Sequence, residues 1–401
     1  MVAARRLAVV GVALAMVLGI DAARRAQQPP LAEPSAQWRE PQSGAPACTW
    51  SRASRSVLPM PAGVAAAHAS SLLVLPPEHP EHARTVMMAF WFAGMRESAA
   101  DVNIVASRLD RATGAWGPAF TVVDRLQAGR ALGVRLRRLG NPVAWADAKG
   151  RLHLFVVGTG LGGWAASRVV HLQENPADPH GTWRALGVLP LMPLVPSLNT
   201  SVLVRTSPLP LSDGGALLPV YFELGMKYSA VVRLGPGGEM HAVQRITRRH
   251  DLLQPALLPL SPQHWVAFHR NQGPLNRLAV STTSDAGAHW QDTASAPFSN
   301  ADSSVAVLRT RHGTTVLLHN PAEHGRQALW WSQTTQPADA TSWRTQPVME
   351  GVAGEEYSYP SLVELPSTSA SAGAGDIGLS YTYRRQAIAM ERWQAHCEVV
   401  R

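Results

Sequence analysis

Six times along the chain a polar or proline-containing start runs into four to six apolar residues, a turn and a second apolar run. The copies begin at His68, Asn141, Asn199, Gln254, Asn300 and Tyr359, in phrases such as Gln254-Pro-Ala-Leu-Leu-Pro-Leu and Tyr359-Pro-Ser-Leu-Val-Glu-Leu. The second runs fall at 86–92, 152–157, 217–222, 265–269, 315–319 and 377–383. Apolar runs this short, bounded by Gly, Pro and polar residues, read as buried strands. No stretch carries the 3.6-residue period of a long amphipathic helix. Successive starts lie between 46 (254 to 300) and 73 (68 to 141) residues apart, which leaves room for one four-stranded unit each. An all-β, six-bladed β-propeller is the expected fold. A β-sandwich is the competing arrangement and leaves six similar units unexplained.

The 401 residues hold 16% charged against 46% hydrophobic side chains, a balance that a folded core requires. The N-terminus departs from it. Two Arg pairs, at 5–6 and 24–25, bracket an uncharged run from Leu7 to Ile20, the pattern of a signal peptide and too short for an ordinary membrane-spanning helix. Residues 1–26 are therefore expected to be a signal peptide or N-terminal membrane anchor, 27–47 a Pro/Gln/Ser-rich linker and 48–401 the propeller. Export follows as an expectation, to the periplasm or the medium, with the N-terminal segment as the only tie to a membrane. The two cysteines, Cys48 and Cys397, flank the propeller. In an oxidising compartment they are expected to bridge, two inert thiols being the alternative.

The net charge of +8 is spread through the chain, which suits an acidic ligand better than nucleic acid, whose binding sites cluster their basic residues. The 15 His are dispersed and no H-E-x-x-H, phosphate-binding Gly loop or Ser-centred elbow occurs, so neither a metal nor another cofactor is expected.

Several copies end in a polar segment closing on Trp, at Trp116, Trp183, Trp290 and Trp343. The segment Thr283-Ser-Asp-Ala-Gly-Ala-His-Trp290 resembles the Asp-box, S-x-D-x-G-x-T-W, with Thr for the opening Ser and His289 for the second Thr. Six units with Asp-boxes resemble the sialidase (neuraminidase) superfamily, over roughly residues 61 to 392. Phrases such as Trp91-Phe-Ala-Gly-Met-Arg-Glu and Glu356-Tyr-Ser-Tyr-Pro-Ser-Leu carry the resemblance further.

The resemblance implies a retaining glycosidase with a Tyr nucleophile, which suits a sugar already carrying a carboxylate at the anomeric carbon. It also implies an Asp acid/base and three Arg that clamp the carboxylate. Residue by residue, it matches Arg96, Arg270 and Arg326 to substrate-binding arginines, Asp101 to the acid/base and Tyr359 to the nucleophile. Two positions depart from the pattern. His68 stands where the first clamping Arg is expected, and Gln254, which cannot accept a proton, stands for the Glu that activates the nucleophile. Glu223 and His250 are the substitute candidates for the base, and Asn141 is a further candidate at the axis.

Each residue also has a structural reading: a loop ion pair for Arg96 and Asp101, solvated blade-edge charges for Arg270 and Arg326, a core tyrosine for Tyr359. Three functions stay open. The first is an exo-glycosidase on a terminal acidic sugar, sialic acid or a relative. The second is a propeller that binds acidic glycans without cutting them, and the third is a polysaccharide lyase.

Overall fold

The computed structural model describes residues 8–9, 11–13, 15–16, 19, 48–97, 99–175, 182–191, 201–300, 302–366 and 375–397. Most of the expected signal segment, the linker and Asn199 lie outside the described residues. No helix among the described residues is long and apolar enough to cross a membrane.

Six antiparallel sheets are arranged as blades, each packed on the next and the sixth on the first. The first blade is Ala66–Val74, Thr85–Gly94, Asn103–Asp110 and Phe120–Val123, counted outward from the axis. The innermost strands of the others are Arg138–Ala146, Val202–Val204, Leu252–Pro259, Ala306–Arg309 and Tyr357–Glu364. A blade lies between two neighbours, so both of its faces are covered. That is why Thr85–Gly94 and Leu152–Gly160 are buried almost throughout and read in sequence as apolar runs rather than as alternation.

The repeat-closing tryptophans fill the seams. Trp183 of the second blade meets Phe90 of the first at 5.7 Å between ring centroids, and Trp343 meets Phe298 at 5.3 Å. In the Asp-box turn, Asp285 accepts from the His289 N–H at 2.8 Å, Thr283 accepts from the Gly287 N–H at 3.1 Å, and Trp290 packs on Trp265. Gly287, at φ +85, supplies the left-handed residue that this turn needs.

The ring closes by mixing the chain ends. Cys48–Val57 pairs antiparallel with Ala387–Cys397 as the outer edge of the sixth blade, with Cys48 opposite Cys397 and a disulfide joining them.

One device recurs at the axis. In or just before the innermost strand of every blade stands a non-glycine residue with positive φ: Ala69, Asn141, Ser201, Gln254, Asp302 and Tyr359. In the first, second, fourth and sixth blades the innermost strand gains one residue over its partner at that point, a β-bulge. Asn and Asp tolerate this conformation, whereas Gln and Tyr take it at a cost of about 1–2 kcal/mol. Serines two residues on stitch blade to blade: Ser361 Oγ accepts from the Leu72 N–H at 3.1 Å and Ser71 Oγ from the Ala144 N–H at 3.2 Å.

Candidate active site at the propeller axis

The bulges bring Tyr359, Gln254 and Asn141 to where the blades converge, and Asp302 reaches the same place from the segment before the fifth blade's innermost strand. Tyr359 is 9% exposed, and its ring lies among cations. Arg270 donates to its hydroxyl at 3.2 Å, while the guanidinium carbons of Arg205 and Arg326 stand 5.1 and 5.5 Å from its ring centre. His68 packs on another side, 4.3 Å between ring centres.

Each cation is held in place by a different device. Arg270 gives Nε and Nη2 to the two Asp302 oxygens at 2.6 and 3.1 Å. Arg326 donates to the Asp302 carbonyl at 2.6 Å and to Glu356 at 3.3 Å. Arg205 donates to the carbonyls of Ser70 and Pro360, at 3.1 and 2.9 Å, and has no carboxylate partner among the described residues. It borders, with Pro360 and Ser361, a separate cavity of about 30 Å3. Arg205 is thus a support for Tyr359 rather than part of the site's mouth.

Burial and charge set the protonation states. Burial lowers Arg205 to about 10, so it stays cationic at neutral pH. Burial opposes the charge on Arg270 too, but Tyr359 and Asp302 outweigh it and raise its pKa. Burial lowers His68 to about 3, which leaves it neutral. Against the upward push of burial, His68, the Ser358 hydroxyl, Arg326 and Arg385 bring Glu356 down to about 2. Burial raises Glu223, with Arg270 and Lys227 pulling the other way. Glu223 directly follows the strand Ala216–Phe222 and sits within range of the Arg270 and Asp302 charges.

Gln254 is 2% exposed, and its Nε2 donates to the Tyr221 hydroxyl at 3.1 Å, not to Tyr359. Asn141 Nδ2 reaches the same oxygen at 3.4 Å. Burial, with the Glu223 charge adding to it, pushes the Tyr221 hydroxyl above its usual pKa. Gln254 Oε1 and Ser201 Oγ are buried with no hydrogen-bond partner among the described residues.

The remaining sequence candidates lie further out. Asp101 is exposed and accepts from the Met95 N–H at 2.8 Å; it makes no ion pair with Arg96 among the described residues. Arg96 borders a small cleft of about 10 Å3 shared with His68, Phe92, Glu97 and Arg385. His250 is exposed, with its Nδ1 3.4 Å from Arg245, and belongs to none of the contacts around Tyr359. As a neutral ring tilted against Tyr359, His68 positions the tyrosine and cannot replace an arginine as a carboxylate clamp.

Sequence reasoning missed Arg205, Tyr221, Asp302, Glu356 and Arg385. Asp302 takes positive φ in the fifth blade as Gln254 and Tyr359 do in theirs, but it lies two residues after Asn300, where the repeat reads as starting. Arg385 comes from the hairpin between the last two strands, donates to Glu356 and Glu97, and borders a cavity of about 550 Å3 with Glu355, Glu356 and Arg384. Nothing local in the sequence points to it.

Tyr359 thus stands at the bulge of the sixth blade, with Arg270 on its hydroxyl and Arg326 beside its ring. The family of BNR repeat-like domains matches residues 85–371. The chain belongs to that family. The fold is shared with sialidases. A Hadza microbial sialidase aligns with a TM-score of 0.62 and 14% identity, over 82% of this chain and 65% of its own. This chain thus spans less than two thirds of that sialidase. A Dyadobacter fermentans protein of unknown function aligns with a TM-score of 0.63 and 10% identity, over 86% of this chain and 99% of that one. A Penicillium chrysogenum alpha-L-arabinanase, solved with arabinobiose, aligns with a TM-score of 0.59 and 12% identity, over 86% and 98%. No curated protein matches the sequence.

Proposed function

We propose that this BNR-family propeller is an exo-glycosidase that takes a terminal acidic sugar, sialic acid or a relative, at the axial tyrosine and arginines. The observation that carries the reading is the Arg270 contact to the Tyr359 hydroxyl, with Arg326 and Arg205 at the ring. A donor held on the phenol oxygen stabilises negative charge as the oxygen becomes a nucleophile. Tyr359 Oη attacks the anomeric carbon as the glycosidic C–O bond breaks, and Asp101 gives a proton to the departing oxygen. Glu223, made more basic by burial, takes the phenol proton. Water then gives a proton to Asp101 and attacks the anomeric carbon, the tyrosyl–sugar bond breaks, and the tyrosine oxygen takes its proton back from Glu223. Arg270 and Arg326 hold the sugar carboxylate, with Arg385 beside them.

The second reading is a propeller that binds the same sugar without cutting it. One observation favours it: Gln254 gives its amide to Tyr221, and among the described residues no carboxylate is hydrogen-bonded to the Tyr359 hydroxyl. Export to an oxidising compartment is part of the proposal, and the Cys48–Cys397 disulfide supports it.

The test offers a panel of sialylated and other acidic glycans to the protein and to Asp101→Asn. Sugar release by the protein, lost in Asp101→Asn, is the expected result. Saturable binding with no release from any glycan moves the function to the second reading.

A further inference from the structure

The longest spacing between repeats, from the first blade to the second, holds the helix Arg125–Leu132. Asp124 caps its start by accepting from the Gln127 N–H, and Gly133 ends it in the left-handed conformation. This helix, the turn after it and the loop at Arg96 border an open hollow of about 830 Å3. Its volume lies in the range of pockets that bury small-molecule ligands, about 300–1,000 Å3.

Arg96, Arg125, Arg130, Arg135, Arg137 and Arg138 line the hollow, and no acidic residue does among the described residues. Arg125 is committed to structure, donating to the carbonyls of Ala100 and Leu136 at 2.9 and 2.8 Å. The side chains of the other five make no ion pair or hydrogen bond among the described residues. Arg311, Arg384, Arg385 and Arg392, which are also solvent-facing, each meet a carboxylate. Five unneutralised cations around one hollow repel each other and focus a positive potential into it. Leu126, Val134 and Leu136 supply apolar wall between them.

Arg96 also borders the cleft of His68 and Arg385, so one side chain lies between the hollow and the axial cluster. We infer that the arginine hollow is a second subsite, which holds further acidic units of a polyanionic glycan whose terminal sugar occupies the axis. This rests on the acidic-sugar reading of the axial site and narrows it: the substrate is an oligomer with repeated carboxylate or sulfate groups. No aromatic side chain lines the hollow among the described residues. A single-stranded nucleic acid normally needs such stacking platforms, so an acidic glycan fits better.

The test measures binding of three acidic hexasaccharides to the full chain, an α2,8-linked sialic acid oligomer, an oligogalacturonate and a heparin fragment, together with the matching monomers. The same titrations are made with R130Q/R135Q/R137Q, whose substituted side chains are exposed and make none of the contacts described around Tyr359. At least one hexasaccharide is expected to bind 30-fold or more tighter than its monomer, with the advantage shrinking as salt rises. The triple variant is expected to lose that advantage while keeping the thermal midpoint and the monomer affinity. Equal hexasaccharide binding by both proteins overturns the proposal, as does binding of none of the three or tighter binding of an oligothymidylate. Monomer affinity that is unchanged in Arg270→Gln counts against the axial reading alone and leaves the hollow's result standing.

Discussion

Arg270 gives one nitrogen to the Tyr359 hydroxyl and its other two to the Asp302 carboxylate, so an acid of the fifth blade sets how a fourth-blade cation meets a sixth-blade phenol. Charge-assisted bonds of this kind contribute about 1.5–3 kcal/mol. Asp302→Asn is expected to lower kcat/KM by roughly 10- to 100-fold, the rate equivalent of that energy. It also lowers the thermal midpoint, because a buried guanidinium loses its counter-charge. Steady-state kinetics on an acidic-sugar substrate checks this, and an unchanged kcat/KM would contradict the positioning role.

Gln254→Glu places a carboxylate where the sialidase resemblance expects one. If proton removal from Tyr359 limits the rate, kcat rises, and a positioned general base contributes up to about 100-fold or more. Burying the new charge lowers stability by about 1–3 kcal/mol. Measuring turnover and melting on the same sample separates the two effects. A loss of both would mean that the Gln254–Tyr221 hydrogen bond is what the site requires.

The blades were legible because their inner strands are covered on both faces and leave uninterrupted apolar runs, whereas outer strands such as Trp183–Val188 and Arg344–Glu350 are largely exposed. The runs expected at 315–319 and 377–383 coincide with Thr315–His319 and Ile377–Tyr383. Tyr359, Arg270 and Arg326 were named through the sialidase resemblance, Tyr359 as the start of the sixth repeat, and the fold gathers the three at the axis. Glu356, Arg385 and Arg205 were not, since their part comes from which blades the ring brings together, and no offset along the chain encodes that. The helix Arg125–Leu132 was missed for another reason. It spans eight residues, with only Ala128 and Gly129 buried, so it leaves no apolar stripe to read.

The disulfide crosses a sequence separation of 349 residues and locks the edge where the propeller would otherwise open. Cys48→Ala is expected to cost about 2–5 kcal/mol. A melt of the variant, and of the protein under reductant, should show the same fall in midpoint. No change in either would mean that strand pairing alone closes the ring.

Four buried histidines predict acid sensitivity. Burial lowers His68, His171 and His269 to about 3 and His319 to about 4, from 6.5. Between those values the unfolded chain binds protons that the folded protein does not. The stability they contribute is therefore complete above about pH 6.5 and falls as pH drops toward 3, by up to roughly 1.4 kcal/mol per pH unit for each histidine. Denaturant melts at pH 7.5, 6 and 5 check the slope. A flat profile would mean that these rings are protonated in the folded protein.

The most direct test of the central claim is Tyr359→Phe, which removes one oxygen and keeps the ring that Arg205, Arg326 and His68 pack against. The measurement is release of an acidic sugar by the protein and by this variant, with affinity for the free sugar taken alongside. Release that falls by at least 1,000-fold while affinity changes little is the predicted result; release that persists in the variant would contradict Tyr359 as the nucleophile.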